Sequence, residues 1–555
     1  MMNFLHAWLP FLQWPRLTPA LFKSEWSAGF AVALLMVPQS VAYAALAGMP
    51  LVTGLYAALL PAAVGVMWSG TLRLSIGPSA LTCVLISASL TGMAEPGSPQ
   101  WVILAIWLAL LAGSLQLIMG LLKNGWLLNL ISSPVMMGFT QAAGLLIIAS
   151  QLPALTGWQG GSTWSAADLA FGIISLALLF GAKKWAPKWP AIMLVVAIAG
   201  LVSYLTGYAA QGGAVVGSLP ADLPQLSLPQ WIDWPLLVQL SGPAMLIALV
   251  SFLEAASSAK SQNQTEGTLW NDNQDLIGQG MAKIASALSG SFATSTSFSR
   301  SAIGLAAGAQ TGWAAIATAS FVLLAVFAAP ALFHVPRAVL AAVVILAVSG
   351  LIKPLAFVNL WKISRIETAT AVWTFGITLI SAPRIYWGVL AGVLMGLSHF
   401  LHTRLHPRII EVGLHEDGSL RDRHLWNLPP LSTNVFALRM DAELDFAAAS
   451  SFEKYITEHL RAAAQPIQHL CLFAQPINRI DATGVEALQQ LRKQLTQRGI
   501  ELHISGMKLP VEKALRLAGE LTTADGVHLY RTDTEAIAAL RAIQAQSNEI
   551  ARISI

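Results

Sequence analysis

Twelve mostly apolar stretches, most of them close to the ~18 residues that cross a ~30 Å hydrocarbon core, dominate the first 402 residues of this chain. They run from Ala28 to Ala47, Val52 to Trp68, Val102 to Leu122, Trp126 to Ala149, Leu169 to Lys183 and Ile192 to Tyr204. A second series covers Gly242 to Ala259, Leu276 to Leu288, Trp313 to Phe333, Val335 to Leu351, Thr370 to Ser381 and Trp387 to His402. Two further apolar pieces are too short or too interrupted for ordinary spans. One is Ser75 to Leu90, opening Ser-Ile-Gly-Pro-Ser, and the other is Phe298 to Gly308, opening Phe-Ser-Arg-Ser. Counting them gives seven segments in each half, with the broken piece third in each. Paired broken segments in two halves mark the binding region of a transporter.

Composition separates this membrane part from a second domain. Charged residues make up 11% of the chain, against about 25% in soluble globular proteins. Of 32 basic and 28 acidic residues, 17 and 18 fall from position 403 onward. The expected division is an N-terminal cytoplasmic segment 1–26, a transport domain 27–402, a linker 403–430 and a soluble domain 431–555. The two cysteines, Cys83 and Cys471, form neither a disulfide framework nor a metal-ligand spacing. The first apolar stretch runs on into further spans and has no cleavage-type ending, so it is not read as a signal peptide. A cytosolic enzyme, a disordered chain and a nucleic-acid binder are all excluded by this make-up. No nucleophile–base pair or nucleotide loop suggests an enzyme.

Cytoplasmic loops carry an excess of Lys and Arg. With fourteen crossings and the N-terminus inside, the inner side collects Arg16, Lys23, Arg73, Lys123, Lys183, Lys184, Lys188, Lys260, Lys353, Lys362, Arg365, Arg404 and Arg408. The outer side has Arg337 and Arg384. Both termini are therefore expected in the cytoplasm. The tail reads as α/β: strands at Asn434 to Met440, His469 to Phe473 and Glu501 to Ser505, helices from Ala447 to Arg461 and from the Asp481-Ala-Thr-Gly484 turn to Gln497.

Three ionisable residues sit at membrane depth, where each costs about 2.5–3.5 kcal/mol and points to function: Glu254, Lys283 and Arg300. Glu254 and Lys283 could neutralise each other across adjacent helices. Alternatively, Glu254 with Ser257 and Ser258, three and four residues on, offers oxygen ligands to a cation. A half-helix starting in mid-membrane presents unpaired N–H groups and about half a positive charge. Two facing N-termini would bind an anion. Ser75, Gly77, Pro78 and Ser79 suit the first, and Ser297, Ser299 and Arg300 the second. Gln39 and Tyr43 share a face of the first span and offer a neutral donor and an aromatic wall, although a packed Pro38 kink also accounts for them.

The run Val37-Pro-Gln-Ser-Val-Ala-Tyr-Ala-Ala-Leu-Ala-Gly-Met-Pro50, followed by Gly54-Leu-Tyr56, resembles the first-span signature of the SulP (sulfate permease, SLC26-type) anion transporters. Asp272 to Gly280 and Thr294 to Thr311 resemble its second signature, and the charged tail resembles its C-terminal STAS domain. The resemblance covers essentially the whole chain. It implies an α-helical integral membrane protein of fourteen transmembrane segments, a seven-plus-seven inverted repeat of core and gate domains with an α/β STAS domain, working by an elevator-like cycle, usually as a homodimer in the inner (plasma) membrane. It places the anion between segments 3 and 10, at Gln39, Tyr43, Ser79, Ala80, Phe298, Ser299 and Arg300. It puts cation coupling at Glu254 with Ser258 and Ser297, so that a sodium ion or proton is the only cofactor-like species expected, sodium at Glu254 being the only metal. Lys283 stands where Asn is expected and is a candidate ion-pair partner of Glu254. In the STAS turn, Ala482 and then Thr483 follow Asp481 where phosphorylated relatives carry Ser, so binding of a cytoplasmic protein or packing is the expected use.

Moving one negative charge inward against an inside-negative potential costs about 2.3 kcal/mol per 100 mV, and about twice that for a dianion. Net uptake therefore needs a coupled cation or an exchanged anion. Sulfate is expected first, then bicarbonate or a dicarboxylate. The rival readings are an uncoupled channel or exchanger and a transport-dead sensor signalling through the tail.

Overall fold

The computed structural model describes residues 9–158, 164–186, 189–463, 466–521 and 526–553. Lys188, counted above on the inner side, and the first eight residues lie outside them. The chain divides into two compact units, Met1–Gly396 and Leu397–Ile555.

Helices of the first unit are α1 (Pro19–Leu46), α2 (Val52–Trp68), α3 (Ala80–Leu90), α4 (Pro99–Leu121), α5 (Ser133–Thr156), α6 (Ala166–Trp185), α7 (Ala191–Leu205), α8 (Trp234–Glu266), α9 (Asp272–Leu288), α10 (Phe298–Ala306), α11 (Trp313–Phe327), α12 (Arg337–Ser349), α13 (Leu355–Ile363) and α14 (Arg365–Ile380), and α15 (Tyr386–Leu405) begins in it and ends in the second. A helix thus covers every expected segment. Starts follow from capping: the side chains of Thr18, Ser79, Ser98, Ser165, Asn271, Ser297 and Ser364 each accept a backbone N–H of the first turn, which satisfies one of four orphan donors. Gly157 and Gly267 end α5 and α8 in the left-handed conformation that a residue with Cβ resists. Among the described residues, α1, α4, α5, α6 and α8 are long and apolar enough to cross a membrane, and α2, α3, α7, α11 and α12 are shorter apolar helices. Ile173, Leu178, Ile198, Leu205 and Trp373 are more than half exposed, as side chains facing lipid would be.

Some boundaries differ from expectation. Helix α1 begins at Pro19, so Lys23 and Glu25 belong to it rather than to a separate segment ending at 26. Helix α5 starts at Ser133, because Gly125–Leu130 is a short 3-10 piece. The short helix α13 was not anticipated.

The contacts show the repeat. Helix α4 packs on α8 and α9, and correspondingly α11 packs on α1 and α2. Likewise α3 packs on α8 and α10 on α1, α5 on α14 and α12 on α6. Exchanging each helix for its counterpart in the other half maps these contacts onto one another.

Helix α9 is seated by small residues. A Cβ on Gly280 would lie 2.7 Å from the Gly113 carbonyl oxygen and the Leu117 nitrogen, and one on Gly278 would lie 2.8 Å from the Gly65 carbonyl oxygen. Within lipid no hydrophobic force drives helices together, so such backbone approaches supply much of the packing. Asp275 fastens the start of α9 to α2. It accepts from Gly70 N and Thr71 N (2.9 Å each), Thr71 Oγ1 and Trp270 Nε1 (2.7 Å each) and the Ser69 hydroxyl.

The strands of the second unit are β3 (Ile409–Leu414), β4 (Leu420–Asp422), β5 (Val435–Met440), β6 (His469–Phe473), β7 (Glu501–Ser505) and β8 (Val527–Tyr530). They form one six-stranded sheet among the described residues, in the order β4-β3-β5-β6-β7-β8. β5 to β8 are parallel, and β3 pairs antiparallel with both β4 and β5. Residues 403–430, expected as a linker, therefore supply two strands, because Val412 and Ile410 are buried in the sheet's core. Alternation sends Phe436, Leu438, Leu470 and Leu472 to one face under α16 (Ala449–Ala462), α17 (Ala482–Gln497) and α18 (Leu509–Leu517). Val435, Ala437, Cys471 and Phe473 go to the other, with Ala536 and Leu540 of α19 (Asp533–Ile553).

Replacing Gly280 by Val should abolish the folded state, since the added side chain meets backbone rather than a yielding side chain. Gly242→Val in α8, where the added Cβ meets nothing within 4 Å, should behave as wild type. Size-exclusion profiles of the two detergent-extracted variants check this; a monodisperse Gly280→Val peak would contradict it.

Candidate functional site

The two broken segments meet. Before α3 the chain forms β1 (Ile76–Gly77) and before α10 it forms β2 (Ser295–Thr296). These pair antiparallel, Ile76 opposite Thr296 and Gly77 opposite Ser295. Ser297 N donates to Ser75 O at 3.0 Å, and Ser75 N donates to Ser301 Oγ at 2.9 Å. Non-helical backbone at membrane depth must find partners within the protein, and each broken segment supplies them to the other. At 1.5 Å per residue, α3 and α10 are about 16 and 14 Å long, roughly half of a hydrocarbon core. Each thus begins at the strand pair and leaves its first-turn amides there.

Ser79 caps α3 and Ser297 caps α10, as the broken-segment reading implies. The Ser79 hydroxyl also donates to Glu254 Oε2 at 2.9 Å, which joins the first half-helix to the carboxylate of α8. Ala80 is half-buried, Phe298 and Ser299 are exposed, and Ser299 Oγ lies 3.2 Å from Ser297 Oγ. Ser258 is buried, whereas Ser257 is exposed, so the face shared with Glu254 carries one buried hydroxyl rather than two.

Arg300 is 2% exposed. Its Nη1 donates to Pro78 O at 2.9 Å and its Nε to Ser75 Oγ at 3.3 Å. Its guanidinium therefore straps the start of α10 to the strand leading into α3, and Nη2 is buried without a partner. Gln39 and Tyr43, one turn apart on α1 and 7% and 5% exposed, carry side-chain donors that meet no partner among the described residues. Helix α1 packs on both α3 and α10. Arg300 Nη2 is thus a buried donor without a partner, which is uncommon among buried polar groups, and the Gln39 and Tyr43 donors stand on the helix that packs against both half-helices.

Lys283 does not pair with Glu254. Its Nζ donates to Gln116 Oε1 at 2.9 Å, and no salt bridge joins the two among the described residues. Gln116 Nε2 in turn donates to Ala248 O at 2.6 Å and lies 3.2 Å from Ser251 Oγ, and Ser295 Oγ donates to Ser251 O at 3.0 Å. The amide of Gln116 is nearer to the ammonium group because α4 and α9 approach at Gly113 and Gly280. Arg300 and Lys283 both remain within electrostatic reach of Glu254.

Sequence reasoning missed Gln116, whose signal was a lone amide in an apolar span. It also missed Glu25, assigned to a terminal segment. Glu25 is fully buried and accepts from Gln310 N (3.1 Å), Thr311 N (2.8 Å) and Thr311 Oγ1 (2.9 Å), while Ser24 Oγ donates to Gly308 O at 2.7 Å. These bonds hold the end of α10 against α1. In the second unit Asp481 Oδ1 accepts from Gly484 N (2.8 Å) and Oδ2 from Phe446 N (2.9 Å), so its carboxylate caps α17 and fixes a loop. Thr483 is exposed.

Comparison with known proteins agrees with this architecture. Residues 22–374, more than half of the chain, match the sulfate permease family, and residues 430–536 match the STAS domain. The chain is 30% identical over 539 residues to sulfate transporter 4.1, chloroplastic, of Arabidopsis thaliana, covering 90% of this chain and 77% of that protein. It is 30% identical over 533 residues to a probable sulfate transporter of Mycobacterium tuberculosis, covering 93% and 94%. Among solved structures it resembles SLC26A9, with a TM-score of 0.87 at 18% identity, covering 99% of this chain and 95% of that one. It also resembles the transmembrane domain of the cyanobacterial bicarbonate transporter BicA, with a TM-score of 0.58 at 19% identity, covering 69% and 98%. The family and these relatives are transporters, not enzymes. The chain is a multi-pass membrane protein that belongs to the sulfate permease family and ends in a STAS domain.

Proposed function

We propose that this protein is a proton-coupled secondary transporter of sulfate, with the anion held between the first turns of α3 and α10. The observation that carries this reading is the set of unpartnered donors around the two capped N-termini: the Gln39 amide, the Tyr43 hydroxyl and Arg300 Nη2. Helix N-termini and neutral donors suit an oxyanion, and relatives named as sulfate transporters in a plant and a bacterium favour sulfate over bicarbonate or a dicarboxylate.

Glu254 is the proposed coupling group. Its bond to Ser79 ties its charge state to the helix end that faces the anion. A proton neutralises the carboxylate in place, whereas a sodium ion would add a further positive charge near Arg300 and Lys283. A bovine relative is named a sodium-independent sulfate anion transporter, which favours the same choice. In this reading α1–α4 and α8–α11 form a core that moves against α5–α7 and α12–α15 in a homodimer, with both termini in the cytoplasm of a cell bounded by the inner membrane.

Two outcomes are expected in proteoliposomes. An inward proton gradient should drive sulfate above equilibrium in the wild type. Glu254→Gln should still bind sulfate but only equilibrate it. Accumulation driven by sodium alone, or proton-driven accumulation persisting in Glu254→Gln, would place coupling elsewhere. Arg300→Ala should weaken sulfate binding at least tenfold by equilibrium binding to purified protein, with Arg300→Lys intermediate because it keeps the charge and loses the planar fork. Wild-type affinity in Arg300→Ala would remove Arg300 from the site.

A further inference from the structure

Three histidines and one carboxylate converge on the sheet of the STAS domain. His469 opens β6, Glu501 opens β7, His503 follows two residues later on the same face, and His528 lies on β8. The parallel register sets His469 beside Glu501 and His503 beside His528. This is the face of Cys471 and Phe473, since residues two apart on a strand share a side.

Four distances define the cluster. His469 Nδ1 lies 3.2 Å from His503 Nε2 and 3.2 Å from Glu501 Oε2. Glu501 Oε2 lies 3.8 Å from His503 Nε2 and 3.4 Å from His528 Nε2. A tetrahedral zinc site with ligand bonds of about 2.0–2.1 Å has ligand-to-ligand edges of about 3.3 Å. The three edges among His469, Glu501 and His503 are 3.2, 3.2 and 3.8 Å, so two match such a site and the third would close by a small shift of the half-exposed Glu501 side chain. His503 Nδ1 faces the Tyr530 hydroxyl at 3.1 Å. That partner orients the ring and leaves Nε2 toward the cluster, as an outer-shell group does for a metal-bound imidazole. His503 is fully buried and His469 nearly so, while Glu501 and His528 are each 46% exposed at the side chain, which gives an ion a way in.

We propose that His469 Nδ1, His503 Nε2 and Glu501 Oε2 form a binding site for a divalent transition metal ion of the zinc type. Two imidazoles and a carboxylate select borderline cations such as Zn²⁺ over Mg²⁺ or Ca²⁺, which take oxygen ligands. With three protein ligands the fourth corner is open to water. The ion would pin the beginnings of β6 and β7 to each other and give the STAS domain a metal-dependent state. The sequence reading found no metal site because the ligands lie on two strands separated in sequence by a connecting helix, and no local spacing brings them together.

The test uses the full chain in detergent, purified on an affinity tag without histidines and stripped with chelator, then titrated with Co²⁺ followed by Zn²⁺. One Co²⁺ per chain, with the intense visible bands of tetrahedral cobalt and displacement by Zn²⁺, is expected. Glu501→Gln, half-exposed and close in volume, should weaken binding at least tenfold, as should His469→Gln. Circular dichroism and size exclusion confirm the fold of each variant, and if His469→Gln fails to fold, Glu501→Gln decides alone. Absence of saturable binding, octahedral cobalt spectra, or wild-type affinity in a folded Glu501→Gln would overturn the assignment.

Discussion

The antiparallel pairing of β1 with β2 is the contact on which the transport domain depends. Each strand interrupts a segment at membrane depth, where an unpaired backbone group costs several kcal/mol. The pair removes that cost for both segments at once, through Ile76, Gly77, Ser295 and Thr296 and the flanking Ser75 and Ser297 bonds. Neither half of the chain could hold its broken segment alone. The repeat is therefore not only an architectural symmetry but a mutual requirement of the two halves.

Once the strands are paired, the positions of α3 and α10 follow, and so does the chemistry at their starts. Serine caps occupy one orphan donor in each first turn, and both helices start from the paired strands. Arg300 adds a guanidinium held by Ser75 and Pro78, residues of the opposite half. Glu254 reaches the same region from α8 through Ser79. The polar layer behind it, from Lys283 through Gln116 to Ser251 and Ser295, gives the buried amino group of Lys283 a neutral partner beside the strand pair. Glycine approaches at Gly113, Gly280, Gly65 and Gly278 bring α9 close enough for that layer to close.

Much of this was legible in the chain because membrane segments announce themselves by length and apolarity. Val52–Trp68 was delimited to the residue, and Gly77-Pro78 and Ser297 marked the breaks. What was not legible depends on which side chains meet. Lys283 and Glu254 are both ionisable and both at membrane depth, so pairing them was natural on charge alone; only the seating of α9 on α4 shows that an amide is closer. Glu25 was hidden because a charge near an expected segment boundary reads as solvent-exposed. The strands at 409–422 were hidden because the charged residues Glu416, Asp417, Arg421, Asp422 and Arg423 read as a solvated linker, although Ile410, Val412 and Leu414 alternate along the first strand. The histidine cluster on β6–β8 was invisible for a different reason, since parallel strands join residues from distant parts of the sequence.

The proposed transport mechanism requires the anion to sit between the first turns of α3 and α10. Selenate replaces sulfate oxyanion for oxyanion and scatters anomalously, so a crystal of the purified protein grown with selenate locates it directly. An anomalous peak between the first turns of α3 and α10, within hydrogen-bond reach of the Ala80 and Ser299 amides, is the predicted result. A peak elsewhere in the transport domain, with the region between those two turns empty, would contradict it.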